Sequence, residues 1–190
     1  MRDFIKERIY DSIYVKKLVL EKNEEAISKT AELIIKCIKN GGKVVFCGNG
    51  GSAADAQHLA AEFVSKFRLE RKGLPALALN ANTSVLTAIG NDYSYDRIFA
   101  RQVEALVGEG DIVIGISTSG NSQNVIQALR EASALGAVTV GMTGQSGGQM
   151  AEMVEILLNI PSSDTPRIQE AHITVGHIIC EFVEKQLFGD

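Results

Sequence analysis

The sequence predicts an α/β fold: one domain in which a five-stranded parallel sheet lies between two layers of helices, a three-layer, Rossmann-like αβα arrangement. Three observations carry this expectation. Short apolar, β-branched runs alternate with helical periodicity from Lys43 onward. Three of those runs lead into loops rich in glycine and hydroxyls, and in open α/β sheets such loops form the ligand crevice at the carboxyl edge. The length of 190 residues suits one domain and is enough to bury most of its apolar surface. Residues 1–190 therefore read as one domain, with a helical N-terminal segment over about 1–40.

Two helices are expected first, near Asp3–Glu21 and Glu24–Asn40, where apolar residues recur at helical spacing among charges. Gly41-Gly42 ends the second. Both precede the alternating part and read as packing or oligomer elements. Lys43–Cys47 is the first strand, Ala53–Phe67 a helix, and Ala76–Leu79 the second strand. Asp111–Ser117 is the third strand, Ser122–Leu135 a helix, Ala137–Thr143 the fourth strand and Glu155–Ile160 the fifth. The last helix runs from about Pro166 to Leu187, with proline in its first turn and Asp164 or Thr165 as cap. Arg68–Gly73 is a short charged loop.

Composition narrows the function classes. A net charge of −4 argues against nucleic acid as the main ligand. The stretch Met1–Arg8 is charged and lacks the apolar core of a signal peptide, and no apolar run is long enough to span a bilayer. Cys37, Cys47 and Cys180 are an odd count at no metal-motif spacing, which favours free thiols in a reducing cytoplasm.

The loop Ser117–Ser122 (STSGNS) offers close backbone approach at Gly120, hydroxyls from Ser117, Ser119 and Ser122, and the N–H groups of a following helix. It has no lysine and no GKS or GKT, so it is not a nucleotide P-loop. A terminal phosphomonoester fits such a neutral cradle; a plain strand–helix turn is the competing reading. Gly48–Ala53 (GNGGSA) contains G-x-G-x-x-A after a strand, as dinucleotide sites do. The next strand ends Leu79-Asn80-Ala81-Asn82, without the carboxylate that would hold a ribose. A second ligand loop is therefore preferred, with Asn49 and backbone amides facing sugar hydroxyls, and no nucleotide cofactor is expected. Thr143–Gly148 is the third loop.

On the helix after Gly48–Ser52, Ala56, Leu59, Ala60, Phe63 and Phe67 form the apolar face. His58 and Glu62 are i, i+4 neighbours on the opposite face. They read as a solvated pair, as a cleft or interface pair moving a carbon-bound proton, or as a two-ligand metal face. On the last helix Ile168, Ala171, Val175, Ile179 and Phe182 form a stripe, and His172 beside it reads as packed. His177 lies opposite, near Ile173 and Cys180. A helix apolar on more than one side is buried on more than one side, which suggests a subunit interface there and a histidine tuned by its neighbours.

The stretches Cys47–Phe63 (CGNGGSAADAQHLAAEF), Thr87–Asp92 (TAIGND), Gly115–Ser122 (GISTSGNS) and Arg167–His177 (RIQEAHITVGH) together resemble the phosphoheptose isomerases of the SIS (sugar isomerase) fold, over essentially the whole chain. The resemblance implies interconversion of D-sedoheptulose 7-phosphate and D-glycero-D-manno-heptose 7-phosphate by a homotetramer with active sites between subunits. It implies Glu62 as the base that moves a proton between C1 and C2, and His177 as its acid/base partner. It assigns Ser52, Ser117, Thr118, Ser119 and Ser122 to the phosphate. It assigns Asn49, Gly50, Gly51, Asn91, Asp92 and Gln169 to the sugar. Relatives place zinc at positions matching His58, Glu62, Gln169 and His177. Ser65-Lys66 stands where relatives show Gly-Arg, which loses a bidentate fork, and Pro166 replaces a small residue.

Two other functions compete. Some SIS relatives bind the bacterial replication initiator as tetramers, but they lack a carboxylate at the Glu62 position and a histidine at the His177 position. An isomerase of another phosphosugar shares every loop named above, because a serine cradle reads the phosphate and not the chain length.

Overall fold

The computed structural model describes residues 1–189. Its first element is one helix, α1 (Arg2–Lys39), and not the two expected. No glycine or proline interrupts residues 2–39, so the charged Glu21–Glu24 stretch interrupts the apolar pattern but not the backbone. Asn23 is itself buried. At ~1.5 Å per residue the helix is about 57 Å long. It ends where Gly41 takes φ +83, a left-handed conformation that glycine adopts without strain.

The remaining elements are β1 (Val44–Gly48), α2 (Gly51–Val64), β2 (Ala76–Ala78), α3 (Thr83–Asp92), α4 (Ala100–Leu106), β3 (Ile112–Ile116), α5 (Gln123–Ala134), β4 (Val138–Thr143), β5 (Ile156–Asn159) and α6 (Thr165–Phe188). Short 3-10 turns lie at Tyr95–Arg97 and Gly148–Glu152. All five expected strands are present, within about a residue of their expected ends. The α3 and α4 helices between β2 and β3 were not foreseen.

The sheet is wholly parallel in the order β2-β1-β3-β4-β5. Alternation along each strand divides the core. Val44 and Phe46 join Ile114, Met142, α1, α2 and α6 on one face, while Val45, Cys47 and Val113 join α4 and α5 on the other. Strands buried on both faces read as continuous apolar runs, which is why β1 and β3 were legible. The chain moves outward from β1 to β2, then returns to the other side of β1 with β3. This reversal opens a crevice at the carboxyl ends of β1 and β3. Among the described residues no helix is long and apolar enough to cross a membrane.

Candidate active site

The two loops that flank this crevice are Gly48–Ser52 and Ser117–Ser122. In the second, Ser117 Oγ lies 3.4 Å from Ser119 Oγ and 3.0 Å from Ser122 Oγ. Three hydroxyls thus converge at the start of α5. Ser122 precedes that helix yet makes no side-chain capping bond; its hydroxyl turns to the cradle instead. Thr143–Gly148 braces the cradle from behind. Gly144 N–H donates to Thr118 O at 2.9 Å and Met150 N–H to Gly120 O at 3.1 Å. A side chain at Gly120, where φ is +67, would place its Cβ 2.0 Å from Gly147 O, so the two loops touch through backbone alone.

In the first loop, the amides of Asn49 and Asn124 bond each other reciprocally at 2.9 and 2.8 Å. Tyr95 OH donates to Asn49 Oδ1 at 3.0 Å. These bonds tie β1's loop to α5 and to the turn after α3. Asn80, two residues past β2, donates to Gly48 O at 2.6 Å. Around them lies a cavity of about 450 Å³ lined by Gly48, Asn49, Gly50, Leu86, Thr87 and Tyr95, among others. Asn91 and Asp92 are exposed at the end of α3, with Asn91 Nδ2 donating to Asp92 Oδ1 at 2.9 Å. Ser52 is buried in the first turn of α2. Gln169 lies against Gly51, where an added Cβ would meet its Nε2 at 2.4 Å.

Further along α2, His58 and Glu62 meet His177 of α6. His58 Nε2 lies 3.0 Å from Glu62 Oε1 and 3.3 Å from His177 Nε2. One ligand atom from each of the three falls within 4.8 Å of the others. The helices come this close because Gly176 has no side chain; a Cβ there would sit 2.5 Å from Leu59 Cδ2. The Phe67 ring covers His177 at 5.5 Å between centroids. A single Nε2–H cannot serve two acceptors well, so the three atoms form a point where a proton or a cation is wanted. Two histidine nitrogens each ~2.0–2.1 Å from one tetrahedral zinc are about 3.3 Å apart, which matches the spacing here. The donor set suits zinc, and two histidines with one carboxylate leave a coordination position open, as in catalytic sites.

Gln169 is not part of this trio. It precedes His177 by eight residues, ~12 Å of helix rise, and its amide faces the glycine loop. Lys66, at the departure from the family pattern, pairs with Glu70 at the surface. His172 is fully buried and its Nε2 bonds Thr143 O at 3.1 Å; burial lowers it to about 4, so it stays neutral as a packing histidine. The three cysteines are free and buried. Burial lifts Cys47 and Cys180 to about 12, which leaves no thiolate nucleophile there.

Tyr95, Asn124 and Phe67 went unread as site residues. Asn124 alone carried a signal, as a polar residue directly before the apolar Val125-Ile126 of a buried helix. Asp55 was also missed. It shares the α2 face of His58 and Glu62, one carboxylate oxygen is buried without a partner, and burial raises it against the pull of His58.

Residues 11–144 match the SIS domain family. The chain is 56% identical to the phosphoheptose isomerase of Clostridium acetobutylicum, over 100% of this chain and 98% of that one. It is 52% identical to the phosphoheptose isomerase of Aneurinibacillus thermoaerophilus, covering 99% and 96%. The solved phosphoheptose isomerase of Neisseria gonorrhoeae superposes with a TM-score of 0.92 at 43% identity, covering 97% of this chain and 98% of that one.

Proposed function

Because this chain belongs to the phosphoheptose isomerases of the SIS domain family, we propose that it is an aldose–ketose isomerase converting D-sedoheptulose 7-phosphate to D-glycero-D-manno-heptose 7-phosphate, the first step of bacterial heptose nucleotide biosynthesis. The observation that carries this reading is the convergence of Glu62, His58 and His177 in a chain that also has the serine cradle. A protein that only binds other proteins has no physical need for that trio.

In this reading Ser52, Ser117, Thr118, Ser119 and Ser122 hold the phosphate with the first N–H groups of α5. Asn49, Gly50, Gly51, Asn91, Asp92 and Gln169 face the sugar. Glu62 takes the proton from C1, and the C1–H electron pair forms the C1–C2 double bond. The ketose carbonyl oxygen gains a proton from His177, which gives a cis-enediol. His177 then recovers a proton from the C1 hydroxyl as the aldehyde forms, and Glu62 returns its proton to C2. Positioned acid–base groups of this kind contribute about 10²–10⁴-fold each.

His58, Glu62 and His177 would hold a zinc ion. When bound, zinc would supply Lewis-acid polarisation of the substrate oxygens. Metal analysis of protein purified without chelator tests this, and full activity after complete zinc removal would rule out an essential role.

We further propose a homotetramer. Phe4, Ile5, Ile9 and Tyr10 of α1 and Ile178 and Phe182 of α6 are exposed, large apolar side chains of the kind a subunit interface covers. Sedimentation tests the assembly, and a monomer at all concentrations would contradict it. A cytoplasmic location accords with the free thiols.

The function is tested with a panel of heptose, hexose and pentose phosphates. Turnover of sedoheptulose 7-phosphate well above the others is expected. Equal turnover of a hexose phosphate would move the assignment to another phosphosugar.

A further inference from the structure

We propose that the buried Arg71–Glu184 ion pair is a positioning device that sets Glu62 and His177 against one another. The inference rests on the reading above, in which those two residues move the protons.

Both side chains are 2% exposed, and Arg71 Nε donates to Glu184 Oε1 at 2.8 Å. The pair is also bonded to backbone on every side. Glu184 accepts the N–H groups of Phe67, Arg68 and Leu69 at 2.9, 2.6 and 2.9 Å. Arg71 donates Nη1 to the carbonyls of Phe63, Ser65 and Lys72 at 2.9, 3.1 and 3.0 Å, and Nη2 to that of Glu62 at 2.9 Å. Burial works to raise the Glu184 carboxyl, but the three N–H groups and Arg71 outweigh it and bring it down to about 2. The pair is therefore charged and satisfied.

Its placement points to a role beyond holding the chain together. α2 ends at Val64, and the last carbonyls of a helix need outside donors. Arg71 supplies them, and one of the carbonyls it holds belongs to Glu62. On α6, Glu184 follows His177 by seven residues, two turns that return to within ~20° of the same face. One charge is thus attached to the backbone of the proposed base, and the other to the helix of its partner. The three N–H groups Glu184 gathers form the loop that carries Phe67 over the His177 ring. Arg68 of that loop also pairs with Glu181 of α6 at 3.2 Å. A fold that needed only stability has a simpler choice, because well-packed apolar residues often replace buried ion pairs without loss. Apolar side chains would not fix the turn of α2 or the loop to within a hydrogen bond.

The test uses the full chain with ¹³C in the histidine rings. There are three histidines, so three Cε1–H signals report His58, His172 and His177. Glu184→Gln, nearly isosteric, is compared with wild type in those signals and in kcat and KM for sedoheptulose 7-phosphate. The His58 and His177 signals are expected to move while that of His172, which bonds Thr143 O near the other end of α6, stays. The kcat is expected to fall about 10–100-fold, as for residues that orient a reactive group, with KM within about twofold. Wild-type kcat with unmoved His58 and His177 signals overturns the proposal. Where Glu184→Gln does not fold, Arg71→Lys is read by the same two outcomes, since an ammonium keeps the charge but not the fork. Should wild type convert no phosphosugar, the isomerase reading fails, and the ring signals alone decide the pair: movement at His177 upholds the positioning and no movement refutes it.

Discussion

The serine cradle and the Glu62–His177 cluster are built by opposite means. The cradle is one contiguous stretch, Ser117–Ser122, shaped by a strand end, a left-handed glycine and a helix start, with a second loop pressed behind it. The cluster joins residues 119 positions apart, His58 and His177, through the packing of two helices and a buried ion pair beneath them. The cradle is a backbone feature that tolerates loss of a single hydroxyl. The cluster is a side-chain feature whose geometry depends on contacts far from it. Perturbations therefore divide by region, into binding for the cradle and turnover for the cluster.

The largest expected effect is on the cluster itself. Glu62→Gln removes the proposed base while keeping the side-chain shape, and kcat should fall at least ~10²–10⁴-fold with the fold intact by circular dichroism. A variant within tenfold of wild type would remove Glu62 from the chemistry.

Acid stability should expose the support beneath the cluster. Glu184 has a folded value of about 2 against an ordinary 4.5. Its ionised form is the one the fold prefers, so its contribution is full above pH ~4.5 and is lost as pH falls toward ~2. That difference corresponds to about 3 kcal/mol. Denaturant titrations across this range should show the slope, and Glu184→Gln should flatten it. His172 adds to the loss at higher pH: buried neutral with a folded value of about 4 against 6.5, it favours unfolding as pH falls from ~6.5 to ~4.

Gly176→Ala probes the packing that unites α2 and α6. The new methyl meets Leu59 at 2.5 Å. Overpacking costs about 1–3 kcal/mol, partly offset by ~1 kcal/mol of helix preference. The melting temperature should drop by a few degrees, and kcat should fall more than KM rises.

The smallest effect belongs to the cradle. Ser119→Ala removes one hydroxyl to a charged phosphate, about 1.5 kcal/mol, and should raise KM roughly tenfold with kcat nearly unchanged. A change in kcat alone would break the division between the two regions.

The same contrast explains what was legible in the sequence. β1 and β3 announced themselves as apolar runs, and the cradle followed them directly, because both are local. The faces of His58, Glu62 and His177 were readable from helical spacing, but not their meeting, which needs Gly176 against Leu59. Arg71 read only as part of a charged loop; nothing local shows that its charge is buried on Glu184. α3 and α4 escaped because they are short and their buried apolar residues, such as Ile89 and Val103, are few. The split of α1 into two was an error of polarity: a charged Glu21–Glu24 stretch looked like a break where the backbone had no reason to stop.

The most direct measurement of the central claim is conversion of sedoheptulose 7-phosphate in D₂O, followed by proton NMR, with wild type beside Glu62→Gln in the same oligomeric state. Wild type should yield the heptose 7-phosphate, with deuterium at C2 in the fraction of turnovers in which the proton on Glu62 exchanges with solvent before its return, and the variant should yield almost none. Product formed by Glu62→Gln at the wild-type rate would contradict the assignment of the proton transfer to Glu62.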